Sequence, residues 1–403
     1  MNNILSGMRV IEGAAFVAAP SGAMTLAQLG ANVIRFDLIG GGLDYHRWPL
    51  DKGGQSLYWA GLNKGKRSIA VDFRKPEGRE ILSQLITAPG ADAGLFLTNF
   101  PSRGWLSDEK LRARREDLIY MNLTGDRHGG SAVDYTVNCE VGFPYLTGDY
   151  DKPVNHVLAA WDVITGQTLA LGMLAAERHR RITGEGQMIK LALADVALAT
   201  LGNLGFIAEA ELGGRDRKAY GNYLFGSFGR DFVTVDNRRV MLVGITPSQW
   251  RAIIKATGLA IALEQLENSL GLDFDDEGNR FRAREEISEI LESWFAGLRF
   301  PEVQVLFDKY GVCWGKYQSI AELVASDPEC STDNPLFQNV EQTGIGTYLM
   351  PSSPLQFSAF SRQDVRPAPV LGQHTEEILA DELGLSDSEI ARLHDDKVVA
   401  GSV

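Results

Sequence analysis

Arg9-Val-Ile-Glu12, a small-residue loop from Gly13 to Pro20, the amphipathic run Ser21 to Leu29 closed by Gly30, and Ala31-Asn-Val-Ile-Arg-Phe-Asp37 follow one another near the start of the chain. Two short apolar strands flanking one helix form a β-α-β unit, which joins parallel strands through a crossover. The pattern continues with Ser68-Ile-Ala-Val-Asp72, a helix from Pro76 to Ile86, the strand Ala93-Gly-Leu-Phe-Leu97, a helix near Ser107 to Arg115, and Leu118-Ile-Tyr-Met-Asn-Leu123. Strands that alternate with helices imply a parallel sheet covered on both faces. The expected fold is α/β, with a Rossmann-like large domain.

Composition changes after about residue 210. Tyr220-Gly-Asn-Tyr-Leu-Phe-Gly-Ser-Phe-Gly229 is rich in glycine and aromatics, and reads as loop or linker. Two short strands, Phe232 to Val235 and Arg239 to Val243, flank the turn Asp236-Asn237, and helical segments follow. The expected domains are a large one over 1–205 completed by 340–403, a linker over 206–224, a small α+β domain over 225–318, and a second linker over 319–339.

The chain has 403 residues, 44% of them hydrophobic and 23% charged, as in a soluble globular protein. Its net charge of −13 argues against nucleic acid or an anionic membrane as partner. Leu191 to Ala210 is apolar but carries Asp195, Asn203 and Glu209, and reads as core helix rather than membrane span. Cys139, Cys313 and Cys330 lie far apart and read as buried thiols. With a start that runs straight into a strand, they point to a reducing, cytoplasmic compartment.

The first turn, Glu12-Gly-Ala-Ala-Phe-Val-Ala-Ala-Pro20, lacks the G-x-G-x-x-G of dinucleotide sites, and Gly40-Gly41-Gly42 opens no helix. No HExxH, DxDxDG, Cys/His cluster or G-x-S-x-G occurs, so neither NAD, a metal nor a serine nucleophile is expected.

Asn155-His-Val-Leu-Ala-Ala-Trp-Asp162-Val-Ile-Thr-Gly166 places an aspartate at the mouth of an apolar helix running from Val163 to about Arg178. A helix N-terminus favours an ionised carboxylate, and such a group is either an N-cap or a nucleophile. Lys64, Lys66, Arg67, Arg74, Lys75 and Arg79 form a local basic run, and Arg35 and Arg103 lie on or after neighbouring strands. This is either a phosphate-binding rim or a solvated turn.

Gly7-Met-Arg-Val-Ile-Glu12, Leu26-Ala-Gln-Leu-Gly-Ala-Asn-Val-Ile-Arg35, Asn63-Lys-Gly-Lys-Arg-Ser-Ile69, Thr98-Asn-Phe-Pro101, Thr183-Gly-Glu-Gly-Gln187 and Leu371-Gly-Gln-His-Thr-Glu-Glu-Ile-Leu379 occur in this order. Together they resemble the class III CoA-transferases, the family of formyl-CoA and carnitine CoA-transferases, over nearly the whole chain. The resemblance implies that Asp162 is the nucleophile. It also implies that Arg35, Lys66 and Arg103 contact CoA, and that Asn99 and Phe100 lie near its thiol arm. The substrate is an acyl-CoA, no cofactor is needed beyond its CoA moiety, and the chain forms an interlocked homodimer.

Two departures stand out. Val17 replaces the glutamine many relatives carry before the turn at Ala18-Ala-Pro20, and Val133 stands where racemases of the family have a histidine. Glu12–Pro20, Gly40–Pro49, Val133–Asn138, Asn155–Val157 and Gly221–Asp231 resemble the members that move CoA between the two carboxylates of one C5 unsaturated diacid. On that reading Arg47 and Arg230 are candidates to hold the free carboxylate; otherwise they are surface ion-pair residues. The alternatives are CoA transfer to another dicarboxylic acid, a racemase, and a non-catalytic acyl-CoA binder.

Overall fold

The computed structural model describes residues 3–148, 152–214 and 217–402. Six parallel strands follow in chain order: β1 (Arg9–Gly13), β2 (Asn32–Asp37), β3 (Arg67–Val71), β4 (Leu95–Thr98), β5 (Ile119–Thr124) and β6 (Met188–Ala192). In the small unit β7 (Phe228–Val233), β8 (Arg239–Gly244) and β9 (Cys313–Lys316) make an antiparallel sheet. β10 (Phe337–Gln342) and β11 (Gly346–Pro351) form a hairpin, and β12 (Val399–Ala400) runs antiparallel to β3.

The large sheet has the order β12-β3-β2-β1-β4-β5-β6. Without its added edge this is 3-2-1-4-5-6, the doubly wound Rossmann arrangement. The chain therefore crosses from one side of β1 to the other between β3 and β4. The loops leaving β1 and β4 diverge there, and a crevice opens at the carboxyl ends of the strands.

Three helices bear on that crevice: α1 (Ala18–Gln28), α2 (Asp134–Glu140) and α3 (Ala160–Thr183). Alternate residues of the strands feed two cores. Ile11, Ile34, Phe36 and Ile69 pack with the helix Pro76–Thr87 and the C-terminal helices Thr375–Leu383 and Asp387–Asp395. Val10, Val33, Leu95 and Ile119 pack on the other face with α1 and α3. Burial on both faces explains why these strands are apolar almost throughout.

α1 and α3 meet through two glycines. A Cβ on Gly166 would lie 2.2 Å from Ser21 Oγ and 2.7 Å from the Ala18 carbonyl. One on Gly22 would lie 2.6 Å from the Gly166 carbonyl. Backbone therefore packs on backbone one helical turn after Asp162.

The chain divides into two units. The first comprises the residues up to Val141, His156–Glu211, and those from Pro328 onward; the second comprises Gly142–Asn155 and Leu212–Asp327. The second has its own core, which includes Phe228, Phe232, Trp250 and Phe295.

Leu191 to Ala210 is not one core helix. The helices Leu193–Asn203 and Phe206–Gly213 meet at 64°, and the latter has no buried residue. No single helix among the described residues is long and apolar enough to cross a membrane. Cys139 and Cys313 are exposed, contrary to the expectation of buried thiols.

Candidate active site

A cavity of about 670 Å³ opens at the switch point of the sheet. Ala15 to Ala18 line it after β1, Asn99 to Pro101 after β4, and Thr124 and Gly125 at the end of β5. Asp134 and Asp162 reach it from the starts of α2 and α3. Arg47, Trp48 and Tyr58 add one cation and two aromatic rings. This is the position at which open α/β sheets bind ligands.

Asp162 is the third residue of α3, not its N-cap and not outside the helix. Ala159 holds the cap position and offers no side-chain acceptor. Asp134 supplies the cap from another helix. Its Oδ2 accepts from the backbone N–H of Trp161 (2.7 Å) and of Asp162 (3.1 Å). Its Oδ1 accepts from His156 Nε2 (2.6 Å). Trp161 Nε1 donates to Asn138 Oδ1 (3.0 Å), a second tie between α2 and α3.

The Asp162 carboxyl is pushed up to about 6, first by burial and then by the Asp134 charge, while Arg47 opposes the shift. Thus Asp162 is ionised at neutral pH but more basic than an ordinary carboxylate, because burial and Asp134 outweigh the helix terminus, which favours the ionised form. A half-buried, basic carboxylate facing a mostly apolar cavity is suited to attack an acyl carbon.

Phe16 sits in the left-handed region with φ 70°. Both oxygens of buried Asp44 accept from its N–H at 3.0 Å. Asn99 clamps the same loop, accepting from Ala15 N–H (3.1 Å) and donating to the Ala15 carbonyl (2.9 Å). Arg47 lies over the rings of Phe16 and Tyr58, at 5.4 and 5.1 Å.

The profile of CoA-transferase family III matches residues 5–375. The chain is 60% identical to the 2-methylfumaryl-CoA isomerase of Chloroflexus aurantiacus over 404 aligned residues, 100% of this chain and 99% of that one. It is 27% identical to the succinyl-CoA–D-citramalate CoA-transferase of the same organism, covering 98% of each. A CAIB/BAIF family protein from Brucella suis, known by crystal structure, superposes with a TM-score of 0.77 at 25% identity, covering 94% of this chain and 100% of that one. The chain belongs to CoA-transferase family III.

Against that family's expected site, Asp162, Asn99, Phe100 and Arg47 converge on the cavity. Arg35 and Lys66 do not, which corrects their assignment to the CoA phosphates. Arg35 is 1% exposed and its guanidinium is engaged by Asp37 (2.9 and 3.0 Å), Asp44 (3.3 Å) and Asn63 (3.3 Å), with Trp59 beneath it. Against the cost of burial, Asp37 and Glu12 hold it charged above its ordinary value. Lys66 is 3% exposed; its ammonium pairs with Glu12 (2.7 Å) and donates to the Pro20 carbonyl (3.0 Å). Burial pulls it down to about 8 although Glu12 opposes the shift. The physical reason is that these two cations are charge partners inside the fold, with no donor left for a phosphate.

The rest of the basic run also disperses. Arg67 pairs with Glu377 and Glu382, Arg74 with Asp72, and Lys75 and Arg79 donate to backbone carbonyls. Arg103 is exposed in the loop after β4 and is not among the cavity's lining residues. Arg230 belongs to the second unit, where it pairs with Glu292 (2.9 Å), donates to Tyr223 Oη (3.1 Å) and lines a separate cavity with Asp231 and Arg284.

Val133, which the resemblance sets where racemases of the family have a histidine, lines the cavity. His156 lies close by, but its Nε2 is turned to Asp134. Sequence reasoning missed Asp134. The signal was present: Ala159-Ala160-Trp161 supplies no capping side chain, so the cap had to come from elsewhere.

Proposed function

We propose that this enzyme moves CoA between the C1 and C4 carboxylates of mesaconyl-CoA (2-methylfumaryl-CoA), giving 3-methylfumaryl-CoA. The observation that carries the reading is Asp162 facing the switch-point cavity in a chain 60% identical, end to end, to a 2-methylfumaryl-CoA isomerase.

Asp162 attacks the C1 thioester carbonyl; the C–S bond breaks, leaving a mixed anhydride and CoA thiolate. The thiolate attacks the aspartyl carbonyl, forming an aspartyl-CoA thioester and freeing mesaconate. Mesaconate turns, and its C4 carboxylate attacks that thioester, regenerating a mixed anhydride and the thiolate. The thiolate takes the C4 acyl carbon, and Asp162 leaves as carboxylate. No proton or electron is consumed. Arg47 has no carboxylate partner among the described ion pairs and suits the diacid's free carboxylate. Apolar walls keep water from the two anhydrides and the aspartyl thioester. The homodimer implied by the resemblance belongs to this proposal, and light scattering in solution measures it.

An enzyme that keeps the diacid bound maintains a high effective concentration of its acceptor. Labelled free mesaconate added during turnover is therefore expected to stay out of the CoA thioesters, as read by mass spectrometry. Formate, succinate and carnitine are expected not to accept CoA. Rapid entry of label would mean that the acid leaves, and that the enzyme transfers CoA between separate molecules.

A further inference from the structure

We propose that Asp134 is a positioning residue for the nucleophile, capping the helix that carries Asp162 while setting a second negative charge against it, and that His156 orients Asp134 for both tasks. The inference rests on Asp162 being the nucleophile and adds a residue to that step. Asp134 is 1% exposed, and each of its oxygens has a separate duty. Oδ2 takes the N–H groups of Trp161 and Asp162, so it fixes the backbone of the reacting residue itself. Oδ1 takes the N–H of His156, whose ring packs edge-on to Tyr135 at 6.1 Å.

A cap alone needs only an acceptor, which serine, asparagine or threonine would provide. A carboxylate in this place does something further. Asp162 loses its negative charge as it becomes an acyl group. Repulsion from Asp134 is present before the attack and fades as charge moves from Asp162 to the substrate, so it acts on the difference between ground state and transition state. Among the described residues, the charged groups facing Asp162 are Asp134 from α2 and Arg47 from the loop after β2. The titratable phenols in the cavity are Tyr58 and Tyr135. Burial first, and then the Asp44 and Asp162 charges, hold Tyr58 above the ordinary range of a phenol, so it stays neutral. His156 stands behind Asp134, and Asp44 behind Phe16. Arg47 and Asp134 therefore act on Asp162 in opposite senses, and removing either one's charge isolates the other.

Asp134→Asn tests this. Asparagine keeps an oxygen for the two backbone N–H groups and removes the charge. The expected result is a fall in kcat of about tenfold or more, a KM within about threefold of the wild type, and an acid limb of the kcat/KM profile moved down from near pH 6. A wild-type kcat with an unmoved acid limb would reduce Asp134 to a structural cap and overturn the proposal. His156→Ala and His156→Gln keep the question open to experiment if Asp134→Asn does not fold. Alanine is expected to lower kcat several-fold, and glutamine, which still donates to Asp134, to restore most of it. Equal activity of both with the wild type overturns the orienting role. Hydroxylamine trapping separates this from the parent reading. Modification of Asp162 during turnover in both wild type and Asp134→Asn keeps the nucleophile whatever becomes of Asp134. Failure to modify Asp162 in the wild type removes the nucleophile, and this proposal with it.

Discussion

Around Arg35, two cations and three carboxylates are sealed together; around Asp162, two carboxylates and one arginine face a cavity. Both clusters lie in the first unit, and both draw on the loop after β2, which supplies Asp44 to one and Arg47 to the other. In the sealed cluster each of Arg35, Lys66, Glu12, Asp37 and Asp44 has an oppositely charged partner, and burial holds them in one arrangement. In the open cluster the charges are left incompletely matched. Asp44 joins the two, since it pairs with Arg35 and also holds the N–H of Phe16 on the cavity wall. The sealed cluster is thus a foundation for the open one. A charge that faces a cavity without a full set of partners is the better sign of a site; a local abundance of basic residues is not.

Substitutions in the two clusters are expected to fail in different ways. The largest effect belongs to the open cluster. Asp162→Ala is expected to lower turnover by roughly a thousandfold or more, the loss seen when a covalent nucleophile is removed. Circular dichroism should stay close to the wild type and the melting temperature should not fall, because Asp134 still caps α3. Substantial turnover in this variant would end the mechanism proposed above.

Arg35→Met strikes the sealed cluster, leaving Asp37 and Asp44 buried without their cation and Glu12 with Lys66 alone. Such a break costs about 3–5 kcal/mol. Urea unfolding is expected to show this loss, while the folded fraction keeps its affinity for CoA thioesters. Unchanged stability with a tenfold weaker CoA affinity would return Arg35 to the phosphates and dissolve the distinction between the clusters.

Arg47→Gln is expected to lower kcat/KM for the diacid thioester by roughly 10- to 100-fold, the size of a charge-assisted contact to a carboxylate. CoA thioesters without a free carboxylate should bind with little change. An equal loss on both kinds of thioester would place Arg47 at the CoA part of the substrate.

The smallest effect concerns pH. On the proposed mechanism only ionised Asp162 attacks, so activity is expected to fall as pH drops through about 6. The same shift has a stability consequence. A carboxyl raised in the folded state holds its proton longer than the unfolded chain does. The ionised form therefore destabilises the fold increasingly as pH rises from the ordinary carboxylate range to about 6, with the full cost present above it. Asp162→Asn is expected to raise the melting temperature by a few degrees at pH 7–8 and to leave it unchanged near pH 4. A lower melting temperature at both would mean that the charge at 162 supports the fold.

Much of the large sheet was legible because β1 to β5 are apolar runs separated by helices and turn residues. The edge strand β12 was not, since its two residues gain strand character only by pairing with β3, more than 300 positions away in the chain. β9 escaped for a related reason: three of its four residues are exposed, and no buried face marks it. Within the site, Asp162 could be found from its place before an apolar helix together with the resemblance. Its position inside the first turn, with Asp134 as cap, could not be read, because α2 and α3 have no local sequence relation.

The sequence by itself determined the alternation of strand and helix, and with it the doubly wound sheet, the crevice at its switch point and the family. Those follow from periodicity and from short blocks whose chemistry is local. Only the tertiary structure decided which charges would be spent. Arg35 and Lys66 look like ligands in a linear chain, and they became counter-ions because Glu12, Asp37 and Asp44 close around them. The Asp162 carboxyl stays raised and faces a cavity because burial and the Asp134 charge, which arrives from α2, act on it together. Charge interactions depend on distance in space and on the exclusion of water, and neither is written in the order of residues.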